Sequence, residues 1–138
     1  MDEYKVFLIG GADDEAAIIS TTEQGDRCHL AFSYRGRRIE AEAGDYFEAL
    51  CQVRLALEKE GLIPFCYGAS LNVYPSGMGR DMGAGLKAYK MAMGKHARLQ
   101  DLVHIFSAGP DIIPAHVSRQ RDFFEEWLKV PKSSPPDT

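Results

Sequence analysis

The alternation of apolar and polar residues is clearest between residues 30 and 43. Leu30, Phe32 and Tyr34 alternate with small or polar residues, and the same alternation returns over 39–43. Arg35-Gly36 lies between the two runs and suits a tight turn, because glycine adopts positive φ without a steric penalty. The pattern predicts a β-hairpin that has one face on a core and the other towards water.

A helical period replaces this alternation after Gly44. Asp45 is a favourable N-cap residue, and Glu48 three positions later completes a capping-box pattern. The apolar positions that follow at helical spacing are Phe47, Leu50, Cys51, Val53, Leu55 and Leu57. Gly61 is typical of the position just after a helix end. We therefore predict a helix over 45–60 whose apolar face, including the thiol of Cys51, lies in the core.

Shorter apolar runs predict further strands, which cover residues 4–9, 62–67, 71–74 and 86–93. Residues 16–22 are a strand or, alternatively, part of a helical turn that begins at Asp13. Residues 99–106 are a short helix or a final strand. An amphipathic helix is predicted over 117–130, because Gln120, Phe124, Trp127 and Leu128 lie along one side at helical spacing. Pro131 ends it.

Strands and helices are partly segregated along the chain rather than strictly alternating. This order predicts an α+β fold with a largely antiparallel sheet, one face of which is covered by the helices 45–60 and 117–130. The length of 138 residues predicts one domain, here 1–130. Residues 131–138 are polar and proline-rich, and we predict a disordered tail.

Composition and charge exclude several functional classes. A formal charge of −4 argues against non-specific nucleic-acid binding, which depends on neutralising many phosphates. No apolar run is long enough to span a bilayer, and Met-Asp-Glu is the opposite of a basic signal-peptide start. Three widely spaced cysteines without a CxxC pair indicate neither a zinc site nor a redox pair. Reduced thiols in a cytoplasmic protein are the expectation.

The most unusual composition lies between residues 74 and 87. Four of the chain's thirteen glycines fall within nine residues of this segment. Residues 83–88 formally match the dinucleotide fingerprint G-x-G-x-x-A, but Pro75-Ser76-Gly77 precedes the match and a strand pattern follows it. That motif requires a strand before it and a helix after it, so a Rossmann site is rejected. The spacing of a Walker A loop is also absent.

A weaker prediction survives for this segment. A glycine-rich loop can direct several backbone N–H groups at an anion, and the guanidinium of Arg80 suits phosphate or carboxylate. We predict a strand-flanked loop that holds an anionic small molecule, such as a nucleotide or an acidic metabolite. Its predicted ligand-binding residues are Ser76, Gly77, Gly79, Arg80, Gly83, Gly85 and Lys87. The alternative is a long connection whose glycines serve only its turns.

Two other functional classes remain as alternatives. Met78, Met82, Met91 and Met93 cluster in and after the glycine segment, and this pattern is typical of an adaptable contact surface. It favours a protein-interaction module without catalytic activity, either an inhibitor or immunity-type protein or an obligate homodimer. An enzyme that uses Ser76 or Cys66 is the third interpretation. No catalytic set, metal site or cofactor is predicted, because the four histidines are scattered without a ligand pair.

The segment Asn72–Met78, followed by Arg80, Met82, Gly83 and Gly85, resembles a small family of bacterial proteins of unknown function. The similarity extends from about Phe47 to Leu128 and includes Asp101-Leu102-Val103. The resemblance implies a bacterial, cytoplasmic setting. It implies no activity, substrate or catalytic residue.

Overall fold

The computed structural model describes residues 1–133. Over this range it has eight strands and three α-helices. The strands are β1 (Asp2–Ile9), β2 (Ala16–Gln24), β3 (Arg27–Tyr34), β4 (Arg37–Ala43), β5 (Ile63–Phe65), β6 (Val73–Tyr74), β7 (Lys87–Lys90) and β8 (Leu102–His104). The helices are α1 (Tyr46–Glu58), α2 (Gly77–Met82) and α3 (Val117–Lys129).

Two antiparallel sheets organise the fold. The larger has the order β4-β3-β2-β1-β5, and the smaller has the order β6-β7-β8. The predicted hairpin is β3–β4, in which Phe32 pairs with Ile39 and Leu30 with Ala41. Its turn has positive φ at both Arg35 (51°) and Gly36 (71°), as a two-residue hairpin turn of type I′ requires. The predicted α+β class with antiparallel sheets is confirmed.

The larger sheet has a buried face and an exposed face. In β1, Val6 and Leu8 are buried whereas Phe7 and Ile9 are exposed, and β3 buries Leu30 and Phe32 on the same side as Val6. Helix α1 packs on the buried face, mainly against β3 and β4. Helix α3 packs against α1 and β6. The core therefore lies between the larger sheet and the helices.

Asp45 is the N-cap residue of α1, as predicted. Oδ1 of Asp45 accepts a hydrogen bond from the Glu48 amide at 2.8 Å and satisfies one of the amides that the first helical turn leaves unpaired. The apolar face differs from the prediction at one step. Leu55 is 51% exposed, whereas the neighbouring Arg54 is 1% exposed. The helix therefore presents a cation to the core where we expected only apolar side chains.

Arg54 lies in a buried polar cluster together with Gln120 of α3. Nη1 of Arg54 donates to Gln120 Oε1 at 2.6 Å and to the Gly68 carbonyl at 2.9 Å, and Nη2 donates to the Ala115 carbonyl at 2.9 Å. The side-chain amide nitrogen of Gln120, Nε2, in turn donates to the carbonyls of Gly68, Ser70 and Val73, each at 2.9 Å. The cluster joins α1, α3 and the segment 68–73, which contains little regular structure.

The structure decides between the two interpretations of residues 16–22 and of residues 99–106. Residues 16–22 are a strand, because β2 pairs along its length with β1 and β3. Residues 99–106 contain both candidate structures: a 3₁₀ turn over Leu99–Asp101 leads directly into β8. The strands predicted at 62–67 and 71–74 are the shorter β5 and β6.

Of the predicted tail, residues 131–133 are described and the remainder lies outside the described residues. The Ser133 amide donates to the Gly94 carbonyl at 2.8 Å, and the Lys132 ammonium lies over the Trp127 ring. Lys132 and Ser133 therefore contact the domain. Within residues 1–133, the structure contains no helix that is both long and apolar enough to cross a membrane.

Candidate functional site

The glycine segment lies between two strands, β6 and β7, as predicted, but it contains a short helix where we expected only a loop. Helix α2 begins after Ser76, whose Oγ accepts a hydrogen bond from the Gly79 amide at 2.9 Å. The serine therefore caps the helix instead of extending from a loop. The sequence predicted a loop here, because six residues are too few to show a helical period.

The C-terminal glycines of the segment allow it to approach α1 closely. Gly85 has a φ of +71°, and a Cβ at this position would lie 2.7 Å from Oδ1 of Asp45. The neighbouring Ala84 carbonyl accepts a hydrogen bond from the Tyr46 amide at 2.7 Å. Glycine is therefore required at position 85 by close packing against a helix N-terminus, for which no ligand needs to be invoked.

Arg80 is held by groups of the protein itself. Its Nη1 donates to Oδ2 of Asp45 at 3.2 Å, and its guanidinium carbon lies 5.1 Å from the ring centre of Phe47 and 5.5 Å from that of Tyr74. The side chain is 25% exposed. A carboxylate and two aromatic faces thus occupy most of the surroundings that an anionic ligand of Arg80 would need.

The other predicted site residues divide into two groups. Ser76, Gly77, Gly79 and Gly83 lie within or at the ends of α2, close to Arg80 in the chain. Lys87 is exposed at the start of β7 and pairs in register with His104 of β8. The pKa of His104 is lowered, first by burial and second by the charge of Lys87. Anion binding by the predicted site residues between Ser76 and Lys87 stays a prediction.

A different part of the structure has a cavity of about 500 Å³ with a basic lining. It lies beside β7 and the segment 91–98, and none of the residues from Ser76 to Lys87 lines it. Its charged and ionisable lining residues are Lys90, Lys95, His96, Arg98, Asp101 and Asp111. We call this cavity with its lining the basic cavity.

The two carboxylates of the basic cavity already have partners. Asp111 accepts hydrogen bonds from the Tyr67 hydroxyl at 2.6 Å and from the Lys90 ammonium at 3.0 Å. These two hydrogen bonds hold the pKa of Asp111 below its usual value, and the bond from Tyr67 has the larger effect. Asp101 accepts a hydrogen bond from the Arg98 amide at 2.9 Å. Both carboxylates are therefore held in position, and the lowered pKa keeps Asp111 ionised at neutral pH.

Three basic side chains of the cavity differ in this respect. Within residues 1–133, Lys95, His96 and Arg98 form no ion pair. The segment that carries them is anchored to α3, because Trp127 Nε1 donates to the carbonyls of Ala92 at 3.0 Å and Lys95 at 3.1 Å. A fixed backbone thus carries three cationic or ionisable groups at one cavity.

The sequence interpretation missed this cluster although its signal is visible. Lys95-His96-Ala97-Arg98 places three basic residues in four positions of an acidic chain. Glycine-rich loops have named phosphate-binding motifs, whereas a short basic run has none, so the motifs indicate the glycine segment instead.

The remaining candidate chemistry is not supported by its surroundings. Cys51 and Cys66 are buried, and burial raises the pKa of the Cys66 thiol to about 11. A thiol in this state is a poor nucleophile at neutral pH. Among the described residues, no group of three or more His, Cys, Asp or Glu side chains is arranged to hold a metal ion.

The methionines of the predicted contact surface separate in the structure. Met78 and Met82 on α2 are 72% and 82% exposed, and Met93 is 38% exposed. Met91 is 6% exposed and lines the basic cavity. Three of the four methionines therefore remain available as surface contacts, and one is buried.

Comparison with known proteins assigns no family. No protein-family model matches the chain, and no curated protein sequence matches it significantly. The resemblance to a small bacterial family therefore stays a prediction, and the functional argument depends on the geometry of the site.

Proposed function

We propose that this protein binds an anionic small molecule, and that the ligand occupies the basic cavity. The observation that supports the proposal is the trio Lys95, His96 and Arg98, which line the cavity without an ion pair within residues 1–133. The cavity volume of about 500 Å³ matches the usual range for metabolite sites, roughly 300–1,000 Å³.

The charge distribution supports an anion as the ligand. The whole chain has a formal charge of −4, so a basic cluster is a local departure from the overall sign. A concave, basic surface concentrates anions and raises their rate of association. The guanidinium of Arg98 adds a planar fork for a phosphate or carboxylate group.

The fixed carboxylates restrict the ligand further. Asp101 and Asp111 line the same cavity, and a polyanion that fills it would meet their negative charge. We therefore expect a ligand with one anionic group near Lys95 and Arg98 and hydroxyl or amine donors elsewhere. A phosphorylated or carboxylated metabolite with hydroxyl groups has this chemistry.

The cysteines support a reducing compartment for this activity. Cys28, Cys51 and Cys66 are all free and buried. Free cysteines are usual where thiols are kept reduced, and we propose a cytoplasmic protein.

The experiment is a thermal-shift screen against inorganic phosphate, nucleoside monophosphates, sugar phosphates and hydroxy acids. A probe at 100 times its dissociation constant should stabilise the protein by about 2.7 kcal/mol. The variant Lys95→Gln/Arg98→Gln should lose this stabilisation, because it removes two cations from the cavity. A double variant with the same charge change at exposed positions, Lys59→Gln/Lys129→Gln, should retain it.

A third variant separates the two places where an anion could bind. Lys87→Gln changes the glycine segment and leaves the basic cavity intact. Retained binding agrees with the proposal, whereas binding lost only in Lys87→Gln would move the site to the glycine segment. No stabilisation by any probe, or equal stabilisation of the Lys95→Gln/Arg98→Gln variant, would contradict it.

A further inference from the structure

The two aspartates of the basic cavity differ in whether a cation of the protein neutralises them. Asp111 accepts hydrogen bonds from the Lys90 ammonium at 3.0 Å and from the Tyr67 hydroxyl at 2.6 Å. Asp101 lines the same cavity and forms no ion pair among residues 1–133. The cavity therefore contains one carboxylate, that of Asp101, whose charge a ligand could still match.

The Asp101 carboxylate is held in place by the backbone. Its Oδ2 accepts a hydrogen bond from the Arg98 amide at 2.9 Å, at the start of the 3₁₀ turn Leu99–Asp101. In the part of the chain that the structure describes, the Arg98 guanidinium forms no ion pair with this carboxylate. Arg98 thus holds Asp101 through its amide and leaves its own side-chain charge at the cavity.

The charge of Asp101 also acts on Lys90 of β7. The hydrogen bond to Asp111 has the largest effect in raising the pKa of the Lys90 ammonium, and the negative charge of Asp101 adds a smaller one. The Asp101 side chain is half-buried. Its carboxylate therefore belongs to the charged surroundings of the cavity and not to a remote part of the surface.

The unpaired charges of the cavity define a complementary ligand. Lys90 and Asp111 balance each other as an ion pair. Within residues 1–133 this leaves two permanent cations, Lys95 and Arg98, and one carboxylate, Asp101. A ligand that matches them has two negative charges and one positive charge. A phosphate monoester is close to a dianion above its second pKa of about 6, and an amine in the same molecule supplies the ammonium.

From this charge pattern we infer that the basic cavity selects a phosphate monoester that also carries an amine. The phosphate binds Lys95 and Arg98, and the ammonium pairs with Asp101. This inference rests on the proposed function and narrows its ligand class. A phosphate without an amine leaves the Asp101 charge unmatched and is repelled by it, so Asp101 determines specificity.

Three small probes at about pH 8, where histidine is largely neutral, test the inference by NMR titration of the labelled full chain. Phosphoethanolamine has both groups. In 2-hydroxyethyl phosphate a hydroxyl replaces the ammonium. Glycerophosphoethanolamine keeps the amine but is a diester with one negative charge, as in a lipid headgroup. Phosphoethanolamine should bind at least about tenfold more tightly than either of the others, because hydrogen bonds between charged groups are the stronger ones.

The variant Asp101→Asn removes the charge and keeps an oxygen that can accept from the Arg98 amide. It should bind phosphoethanolamine more weakly and 2-hydroxyethyl phosphate more tightly than wild type, so that the two dissociation constants come within about threefold. Asp26→Asn is the matched control, since Asp26 lies in the β2–β3 turn and does not line the cavity. It should keep the wild-type preference. Circular dichroism and thermal unfolding establish that both variants are folded.

The possible failures separate this inference from the proposed function. Equal binding of phosphoethanolamine and 2-hydroxyethyl phosphate, with both lost in Lys95→Gln/Arg98→Gln, would overturn the inference and leave the proposed function intact. An unchanged preference in Asp101→Asn would also overturn it. Tighter binding of glycerophosphoethanolamine would assign the cavity to a phosphodiester headgroup instead. Absence of binding by these probes and by every probe of the thermal-shift screen would contradict both proposals.

Discussion

Arg54 and Arg80 show two ways in which this fold uses a guanidinium. Arg54 is 1% exposed and donates to two carbonyls and one amide oxygen. Arg80 is 25% exposed and has one carboxylate and two aromatic rings around it. A fully buried cation must have its donors satisfied, since water cannot replace a missing acceptor, whereas a partly exposed one keeps water as a partner.

The difference teaches how to interpret cationic residues in this chain. Arg80 lies between glycines, a sequence context that predicts anion binding, yet Asp45, Phe47 and Tyr74 surround its guanidinium. Arg98 has an ordinary sequence and lines a cavity without an ion pair within residues 1–133. Availability to a ligand therefore depends on what surrounds a cation and not on the residues next to it in sequence.

The largest effect is expected at Arg54. The Arg54→Met variant removes the donors of Gln120 Oε1 and the Ala115 carbonyl while keeping an unbranched apolar stem. Leaving a buried acceptor unsatisfied costs about 1–3 kcal/mol each, so we expect a loss of about 4 kcal/mol in the free energy of unfolding. Urea denaturation measures this loss.

The control for Arg54 lies on the same helix. Gln52 is exposed on α1, and Gln52→Met should change the free energy of unfolding by less than about 0.5 kcal/mol. A loss below about 1 kcal/mol in Arg54→Met would show that the buried cluster is not needed for stability.

A smaller effect is expected where the glycine segment meets Asp45. Gly85→Ala places a Cβ 2.7 Å from Asp45 Oδ1 at a φ of +71°, and so disturbs the pairing of Asp45 with Arg80. Strain of this kind costs about 1–3 kcal/mol. Gly77→Ala is the matched control, because its Cβ meets open space at the first residue of α2. It should be neutral or stabilising by up to about 1 kcal/mol. Equal stability of the two variants would contradict the close approach.

The smallest effect on stability is expected at a third arginine, Arg35, which forms a surface ion pair with Glu15. Arg35 Nε donates to Glu15 at 2.6 Å, and this hydrogen bond lowers the pKa of Glu15 from 4.5 to about 2. The lower pKa belongs to the folded state, so the contribution to stability is present above pH 4.5 and is lost as the pH falls towards 2. The difference in stability between wild type and Glu15→Gln should therefore shrink across this interval.

Urea unfolding at a series of pH values checks the last prediction. Glu125 is exposed and makes no ion pair within residues 1–133, so Glu125→Gln provides a matched removal of charge. Its stability difference from wild type should stay nearly constant across the interval. A constant difference for Glu15→Gln would mean that the pair with Arg35 does not contribute to folding.

Much of the fold follows from local patterns in the sequence. The β3–β4 hairpin, the Asp45 cap and the extent of α1 and α3 were predicted closely, because each depends on residues a few positions apart. Helix α2 was not predicted, since it has one turn and a half and is held by the Ser76 cap and its contact with α1. Short elements whose stability comes from distant residues leave little trace in a local pattern.

The candidate site shows the same division. The acidic total charge, the free cysteines, the amphipathic strands and the glycine density can be read directly from the chain, and together they indicate a small α+β protein with an unusual segment near residue 80. Only the folded arrangement makes Arg54 an internal cation and brings Asp45 to Arg80. It likewise places Lys95, His96 and Arg98 at one cavity. The physical reason is that burial and charge pairing depend on residues far apart in sequence, such as 54 and 120, whose meeting no local period encodes.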